Sequence, residues 1–261
     1  MLRRVKSAAP ESASDALHLG TAAWAIPAAI AGAFPRDGSR LSRYAARLNA
    51  TEINSTHYRR HLPSTFQRWA ETTPPDFRFA VKAPRQITHE ARLAGCDALL
   101  DAFLGDVLHL GEKLGVVLVQ TPPSLEFDGV GCRFLDTFRR RFDGQVALEP
   151  RHPTWFEPAA DATLRELEVA RVAADPSSCH AAAADPGGWQ GLAYWRWHGS
   201  PRVYFSAYET ETLRRLAERL RTGAAPDTWV IFDNTAHGAA APNALALQQM
   251  LGAGLRSAVT G

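Results

Sequence analysis

The sequence contains few cysteines, no long apolar segment and little net charge, and each shortage excludes a class of protein. Its three cysteines, Cys96, Cys132 and Cys179, lie far apart and form no CxxC pair, so neither a zinc site nor a disulfide framework is indicated. The longest apolar run, residues 21–34, is interrupted by Pro27 and is too short to span a bilayer. A net charge of +2 gives no reason to expect a polyanionic partner. We therefore predict a cytoplasmic globular protein with no membrane partner.

The ends of the chain and its basic residues add little to this picture. The one dense basic run, residues 139–141, lies in a predicted helix with apolar neighbours, so we interpret it as a solvated helix face rather than a nucleic-acid surface. Residues 1–16 include basic side chains but no apolar segment after them, which predicts a disordered tail rather than a signal peptide. Residues 17–261 are expected to form one domain, since no linker interrupts them.

Short β-rich segments alternate with helical patterns along the chain. The predicted strands are residues 17–21, 51–55, 77–82, 115–120, 145–149, 171–175, 192–198 and 228–233. Apolar stripes with helical spacing separate several of them, at residues 41–48, 99–108 and 210–220, where Thr210 can cap the last helix and Gly223 can end it. Residues 176–191, after the sixth strand, contain proline and glycine and leave little room for a regular helix. These repeats predict an α/β protein, a single (β/α)8 TIM-like barrel with an irregular sixth unit.

A doubly wound open sheet is the alternative fold, but no glycine-rich nucleotide motif supports it. The seventh predicted strand contains the stretch YWRWHG, and it could be either a surface strand or a strand of a barrel. Read with a period of two, Trp195 and Trp197 share one face, and Tyr194, Arg196 and His198 share the other. In a barrel the tryptophans would face the helices and the arginine would face the axis.

Polar residues fall at the carboxyl ends of most predicted strands, where barrel enzymes have their active sites. Seven of the charged ones can largely pair with each other, with a small negative remainder if all are ionised, since they are four acids and three bases: Glu52, Glu149, Asp175 and Asp233, and Lys82, Arg151 and Arg196. Buried charges need such pairing. A mixed set suits acid–base chemistry on a small polar or anionic substrate better than it suits a metal cage or a phosphate cup.

Roles follow from this interpretation. Glu149 or Asp233 is the predicted catalytic base, with His198 as its partner because the histidine pKa lies near neutrality. The predicted substrate-binding residues are Glu52, Asn54, Lys82, His89, Gln120, Arg151, His152, Asp175, Arg196 and Asn234. No organic cofactor is expected.

Two other functions stay open at this point. The first is a metal-dependent hydrolase or nuclease-like barrel, whose ligands would be Glu149, His152, Asp175, His198 and Asp233, although no HxH or HExxH spacing marks a site. The second is a ligand-binding barrel that performs no chemistry. Trp24 and Trp155 could form the wall of a pocket or fill the layer beneath the loops.

Several stretches in this order resemble the family known as domain of unknown function 72, the YecE-like proteins. They are GTAAW (20–24), YAARLNATEINSTHYR (44–59), RWAETTPPDFRFAVKAPRQITHEARL (68–93), LGEKLGVVLVQTPPS (110–124), ALEPRHPTW (147–155), YWRWHG (194–199) and FDNTAHGAAAPNA (232–244). The resemblance implies a TIM-like barrel and no established reaction.

The polar positions typical of the family correspond to the site residues above except Asp175, with Thr88 in addition. Many members have further aromatic residues where this sequence has Ile26 and Ala29. The resemblance therefore does not imply an aromatic lid over the pocket of this protein.

Overall fold

The computed structural model describes residues 16–223 and 225–252. The predicted tail lies outside them except for Ala16, which begins the first strand. The strands are β1 (Ala16–Ala22), β2 (Ala50–Ile53), β3 (Arg78–Lys82), β4 (Leu114–Gln120), β5 (Gln145–Glu149), β6 (Val169–Arg171), β7 (Ala173–Asp175), β8 (Gly187–Gly188), β9 (Ala193–Trp197) and β10 (Asp227–Phe232). The α-helices are α1 (Arg40–Ala45), α2 (Pro63–Thr72), α3 (Asp97–Val107), α4 (Gly129–Arg141), α5 (Pro158–Glu166), α6 (Thr210–Thr222) and α7 (Ala240–Leu251).

All described strands belong to one sheet, which curls into a nearly closed barrel. Its order is β7-β9-β10-β1-β2-β3-β4-β5-β6-β8, and every pairing is parallel except that of β8 with β6. Strands β6 and β7 lie near opposite ends of this order, yet only Val172 separates them in the chain. The two edges of the sheet therefore meet at Val172, whose amide donates to the Leu148 carbonyl of β5.

Two details of the predicted barrel need correction. The predicted sixth strand, residues 171–175, is present as two short strands with different partners, β5 for β6 and β9 for β7. With β8 added, the described sheet has ten strands rather than eight. The unit after it is irregular, as predicted, since residues 176–191 form a 3₁₀ turn at Ala181–Ala184 and β8 but no α-helix.

The observed helices agree only in part with the helices predicted from the apolar stripes. Helix α1 ends before Leu48, and Leu99 and Leu108 at the margins of the α3 stripe are each 42% exposed. Helix α6 ends at Gly223 as predicted, but its N-cap is Glu209 rather than Thr210. Within the described ranges, no helix combines the length and apolar character needed to cross a membrane.

Two arginines of the basic run of α4 form hydrogen bonds with neighbouring helices. Arg139 donates to the Leu167 carbonyl at the end of α5. Arg141 bonds Asp97 and Asp101 of α3, at 2.8 and 2.6 Å. Arg140 and Arg141 are nevertheless exposed and Arg139 is half-buried, so the run forms a largely solvated helix face that also joins neighbouring helices.

Two separate apolar clusters explain how the strands are placed. The outer cluster lies between sheet and helices and contains Trp195 and Trp197. The inner cluster fills the barrel axis with small residues such as Ala80 and Ala147, packed around Tyr194 and Trp229. The predicted alternation of β9 is thus confirmed.

Candidate active site at the end of the barrel

The polar residues form a layer directly above the inner cluster. Side chains alternate along a strand, so a residue two positions beyond an inner apolar residue also points inward. Lys82 lies two positions beyond Ala80, and Glu149 two beyond Ala147. Because the strands that carry them are parallel, these strand ends lie at the same end of the barrel.

Arg196 is the centre of this layer and is fully buried. Its Nε and Nη2 atoms donate to the carboxylate of Glu52, at 3.0 and 2.8 Å. Nη1 lies 3.1 Å from Glu149 Oε2, and Nη2 lies 2.9 Å from Asp233 Oδ2. Tyr194 donates at 2.9 Å to Glu52 Oε2, the oxygen that also accepts from Arg196 Nε. One guanidinium therefore joins three carboxylates from β2, β5 and the end of β10.

His198 lies between two of these carboxylates. Its Nε2 is 2.9 Å from Glu149 Oε1, and its Nδ1 is 3.1 Å from Asp233 Oδ2. A neutral imidazole can donate through only one nitrogen, whereas the imidazolium donates through both. Arg151 Nη2 and Arg196 Nη1 also lie 3.3 and 3.4 Å from Nε2 and Nδ1, so which ring nitrogen donates depends on the tautomer.

Glu149 receives the largest number of hydrogen bonds in the layer. Arg151 donates to Oε1 through Nε and Nη2, at 2.9 and 2.6 Å, and Gln120 donates to Oε2 at 2.9 Å. Burial alone would raise the pKa of Glu149, but the charges of Arg151, His198 and Arg196 outweigh it and hold the pKa well below its usual range. Burial would also raise the pKa of Asp233, but Arg196 and His198 outweigh it, so the pKa of Asp233 is lowered.

Lys82 differs from the other cations because its amine forms no hydrogen bond or ion pair with a described residue. Its side chain is 5% exposed, and it ends β3 beside the carboxylates. Burial and the charge of Arg196 lower the pKa of Lys82 to about 8, although Glu52, Glu149 and Asp233 oppose the shift.

Two histidines lie beside Lys82 at the rim. His89 is half-buried, and its Nδ1 lies 2.8 Å from Thr88 Oγ1. His57 is buried, and its Nδ1 faces the Ala83 carbonyl at 2.9 Å. Burial and the Lys82 charge lower the pKa of His57 to about 4, so it is neutral near pH 7 with its proton on Nδ1. The loop position of His57, four residues after β2, gave little sequence signal for this role.

A cavity of about 400 Å³ lies next to this rim rather than over the carboxylates. His57 and Arg85 line it together with Phe66 and Phe103. Over the polar layer itself lies Tyr204, whose ring centroid is 5.8 Å from that of His198. Tyr204 belongs to the loop after β9 and was not predicted from the sequence.

Three predicted site residues have other partners. His152 caps the short 3₁₀ turn Pro153–Phe156, with its Nδ1 3.0 Å from Thr154 Oγ1. Asp175 accepts a hydrogen bond of 2.7 Å from Tyr208. Asn234 is fully buried and donates to Ser206 and Asn243.

The other residues that the sequence analysis singled out lie around the polar layer. Asn54 is half-buried and its Oδ1 is buried without a protein partner. Trp155 is fully buried and donates to the Leu125 carbonyl, and Trp24 packs edge-on against Trp69. These two tryptophans fill the layer between sheet and helices. Ala29 is exposed and Ile26 packs against the same layer.

Of the residues suggested as metal ligands, Glu149 and Asp233 both contact His198, whereas His152 and Asp175 are held by Thr154 and Tyr208. Within residues 16–223 and 225–252, no set of three His, Cys, Asp or Glu side chains has an arrangement that could hold a metal ion. Arg196 occupies the space between the carboxylates that a cation would need.

The fold and this layer define a class: a barrel-like α/β protein with a buried, charge-balanced cluster at the carboxyl ends of its strands. The chain belongs to the family described as protein of unknown function DUF72, whose model matches residues 18–260. The resemblance drawn from the sequence is thereby confirmed.

Relatives and solved structures agree with this assignment. The chain is 32% identical over 175 residues to the UPF0759 protein YecE of Escherichia coli K12, covering 64% of this chain and 61% of that protein. It is 26% identical over 150 residues to the UPF0759 protein YunF of Bacillus subtilis, covering 54% and 53%. Each match therefore spans less than two thirds of the relative.

Two DUF72 family structures share the fold. The protein from Enterococcus faecalis V583 superposes with a TM-score of 0.75 at 23% identity, covering 90% of this chain and 95% of that one. The protein from Thermotoga maritima MSB8 superposes with a TM-score of 0.73 at 25% identity, covering 90% and 99%.

Proposed function

We propose that this protein is an enzyme that performs acid–base chemistry on a small anionic substrate, a phosphate or a carboxylate, at the end of the barrel. The observation that carries the proposal is the position of His198 between Glu149 and Asp233, next to two cations with unused donors. The barrel is interpreted as a TIM-like (β/α)8 fold in which β6 and β7 are two halves of one strand and β8 is an addition. In such barrels this end is the catalytic one.

Charge balance supports an anionic substrate. With His198 neutral, the layer contains three carboxylates and three cations: Glu52, Glu149 and Asp233, and Lys82, Arg151 and Arg196. A protonated His198 adds one positive charge, which a bound anion would neutralise.

Two donors are available to that anion. Arg151 uses Nε and Nη2 on Glu149, and its Nη1 has no acceptor among the described residues. The Arg151 side chain is 24% exposed, whereas Lys82 is 5% exposed and Arg196 is fully buried. Of the three cations, Arg151 is therefore the most open to a ligand. Lys82 Nζ has three N–H groups without an acceptor in the described chain. Guanidinium and ammonium groups are the usual partners of phosphate and carboxylate oxygens.

The proton carrier in this proposal is His198. Glu149 and Asp233 have lowered pKa values and stay ionised, so they orient the imidazole and stabilise its charged form. This narrows the sequence-based prediction, in which either carboxylate was the base. Glu52 and Arg196 become positioning residues, because both are fully buried and bond each other.

Thermal unfolding in the presence of anions tests the binding half. The panel is sulfate, phosphate, phosphorylated sugars and small carboxylates. A ligand at about 100 times its Kd adds about 2.7 kcal/mol to the free energy of unfolding. We expect at least one anion to raise the Tm of the wild type and not that of Arg151→Met.

The matched control is Arg215→Met, since Arg215 is exposed on α6. It should keep the full anion-dependent increase. No increase with any anion, or an equal increase in Arg151→Met, would refute an anion site at this end of the barrel.

A further inference from the structure

Lysine is rare in this protein. The chain has three lysines, Lys6, Lys82 and Lys113, against 26 arginines. Lys6 lies outside the described residues. Lys113 has a structural role, because its Nζ donates to the carbonyl oxygens of Ala70 and Thr73. Lys82 is therefore the one described lysine at the candidate site, in a chain that places most of its positive charges on arginine.

Lysine and arginine differ in one chemical ability that matters at this position. Arginine stays protonated in proteins, whereas a buried lysine can lose its proton and become a nucleophile. Burial and Arg196 lower the pKa of Lys82 to about 8, so a substantial neutral fraction exists near pH 7–8. Its Nζ forms no hydrogen bond or ion pair with a described residue, so no protein contact has to break before it reacts.

We propose that Lys82 attacks the carbonyl carbon of an anionic aldehyde or ketone and forms an imine with it. This inference rests on the proposed function and adds the substrate class: a small carbonyl compound with a phosphate or carboxylate group. Arg151 binds the anionic group, and Lys82 reacts with the carbonyl.

The reaction balances without an oxidant or reductant. The nitrogen lone pair forms the carbon–nitrogen bond while the carbonyl π pair moves to oxygen. One proton leaves the nitrogen and the oxygen is protonated, which gives a carbinolamine. A second proton leaves the nitrogen, and protonation of the hydroxyl releases water as the C=N bond closes. One amine and one carbonyl therefore give one imine and one water. His198 is the group that can deliver and recover protons, because the charges of its two carboxylate partners also act on Lys82.

Reductive trapping tests the proposal on the full chain. The protein is incubated near pH 8 with sodium cyanoborohydride and, in separate samples, pyruvate, glyoxylate or dihydroxyacetone phosphate. Hydride addition to an imine adds the mass of the carbonyl compound less one oxygen atom. Peptide mapping then compares Lys82 with Lys6, Lys113 and the amino terminus within the same sample.

We expect at least one compound to label Lys82 at least about tenfold faster than Lys113. Inorganic phosphate should slow the labelling of Lys82 and leave that of Lys113 unchanged, a readout that requires no variant. Lys82→Arg should lose the label. Lys113→Arg should keep both the label on Lys82 and the anion-dependent rise in Tm.

The outcomes separate the two proposals. Stabilisation by anions without preferential labelling of Lys82 overturns the imine and leaves the anion site in place. Labelling of Lys82 at the rate of Lys113, unaffected by phosphate, also overturns the imine. Neither stabilisation nor labelling overturns both.

Discussion

Arg196 and Glu52 form a two-point ion pair in the barrel interior, with Nε–Oε2 and Nη2–Oε1 distances of 3.0 and 2.8 Å and both side chains fully buried. The pair joins β9 to β2 across the axis. Because Arg196 also contacts Glu149 and Asp233, its charge is shared among three acids. The stability of the whole layer should therefore depend on this one guanidinium.

Replacement of Arg196 should be severely destabilising. Arg196→Met leaves three buried carboxylates without their shared cation, and removing one partner of a buried ion pair costs about 3–5 kcal/mol. Urea unfolding measures the loss, and Arg215→Met on the exposed face of α6 should change the free energy of unfolding by less than about 0.5 kcal/mol. If Arg196→Met is too unstable to purify, Arg196→Lys should fold with an intermediate loss. A wild-type-like Arg196→Met would contradict the described network.

The hydroxyl of Tyr194 should stabilise the folded protein through its hydrogen bond to Glu52. Tyr194→Phe removes the 2.9 Å hydrogen bond to Oε2 and keeps the ring stacked near Trp229. A hydrogen bond to a charged group contributes about 1.5–3 kcal/mol. Tyr58→Phe is the control, since Tyr58 is 72% exposed. Equal denaturation midpoints for the two variants would show that the Tyr194 hydroxyl does not support Glu52.

The amine of Lys82 should titrate with a midpoint of about 8 rather than at its ordinary value of 10.5. Between these values the unfolded chain retains a proton that the folded chain has released, so this group increases the free energy of unfolding as pH rises through that window. NMR of the ¹³C-methylated protein can follow it, because only three lysines and the amino terminus give signals. Lys82→Arg assigns the signal. A Lys82 midpoint near 10.5 would contradict the described burial of the amine.

The close contact of β1 with β2 should require glycine at position 20. A Cβ on Gly20 would overlap the Ala50 carbonyl oxygen, whereas one on Gly105 of α3 meets nothing within 4 Å. We expect Gly20→Ala to lose about 1–3 kcal/mol because the strands must separate. Gly105→Ala should gain about 0.5–1 kcal/mol through helix propensity. Thermal unfolding compares them, and equal Tm values would argue against the tight β1–β2 pairing.

Much of the site was predictable because strand alternation is a strong local signal. The period of two in β9 placed Tyr194 and Arg196 on the axis and Trp195 and Trp197 outside, and the structure has them there. Strand ends in a parallel sheet converge, so Glu149 could be predicted to meet partners from other strands.

Other features depend on loop geometry that the sequence pattern does not encode. Asp175 ends a strand as predicted, but Tyr208, distant in sequence, takes up its carboxylate. Tyr204 reaches the layer through a backbone φ of 70°, a conformation that bulky residues rarely adopt and that no motif announces. The division of the sixth strand at Val172 is likewise a consequence of barrel closure and not of local propensity.

A crystal structure of the protein grown or soaked with inorganic phosphate near pH 7 tests the central claim most directly. The account predicts a phosphate that contacts Lys82 Nζ and Arg151 Nη1, while Arg196 stays on Glu52. A structure without an anion there, in which Lys82 Nζ instead bonds one of the carboxylates, would contradict it.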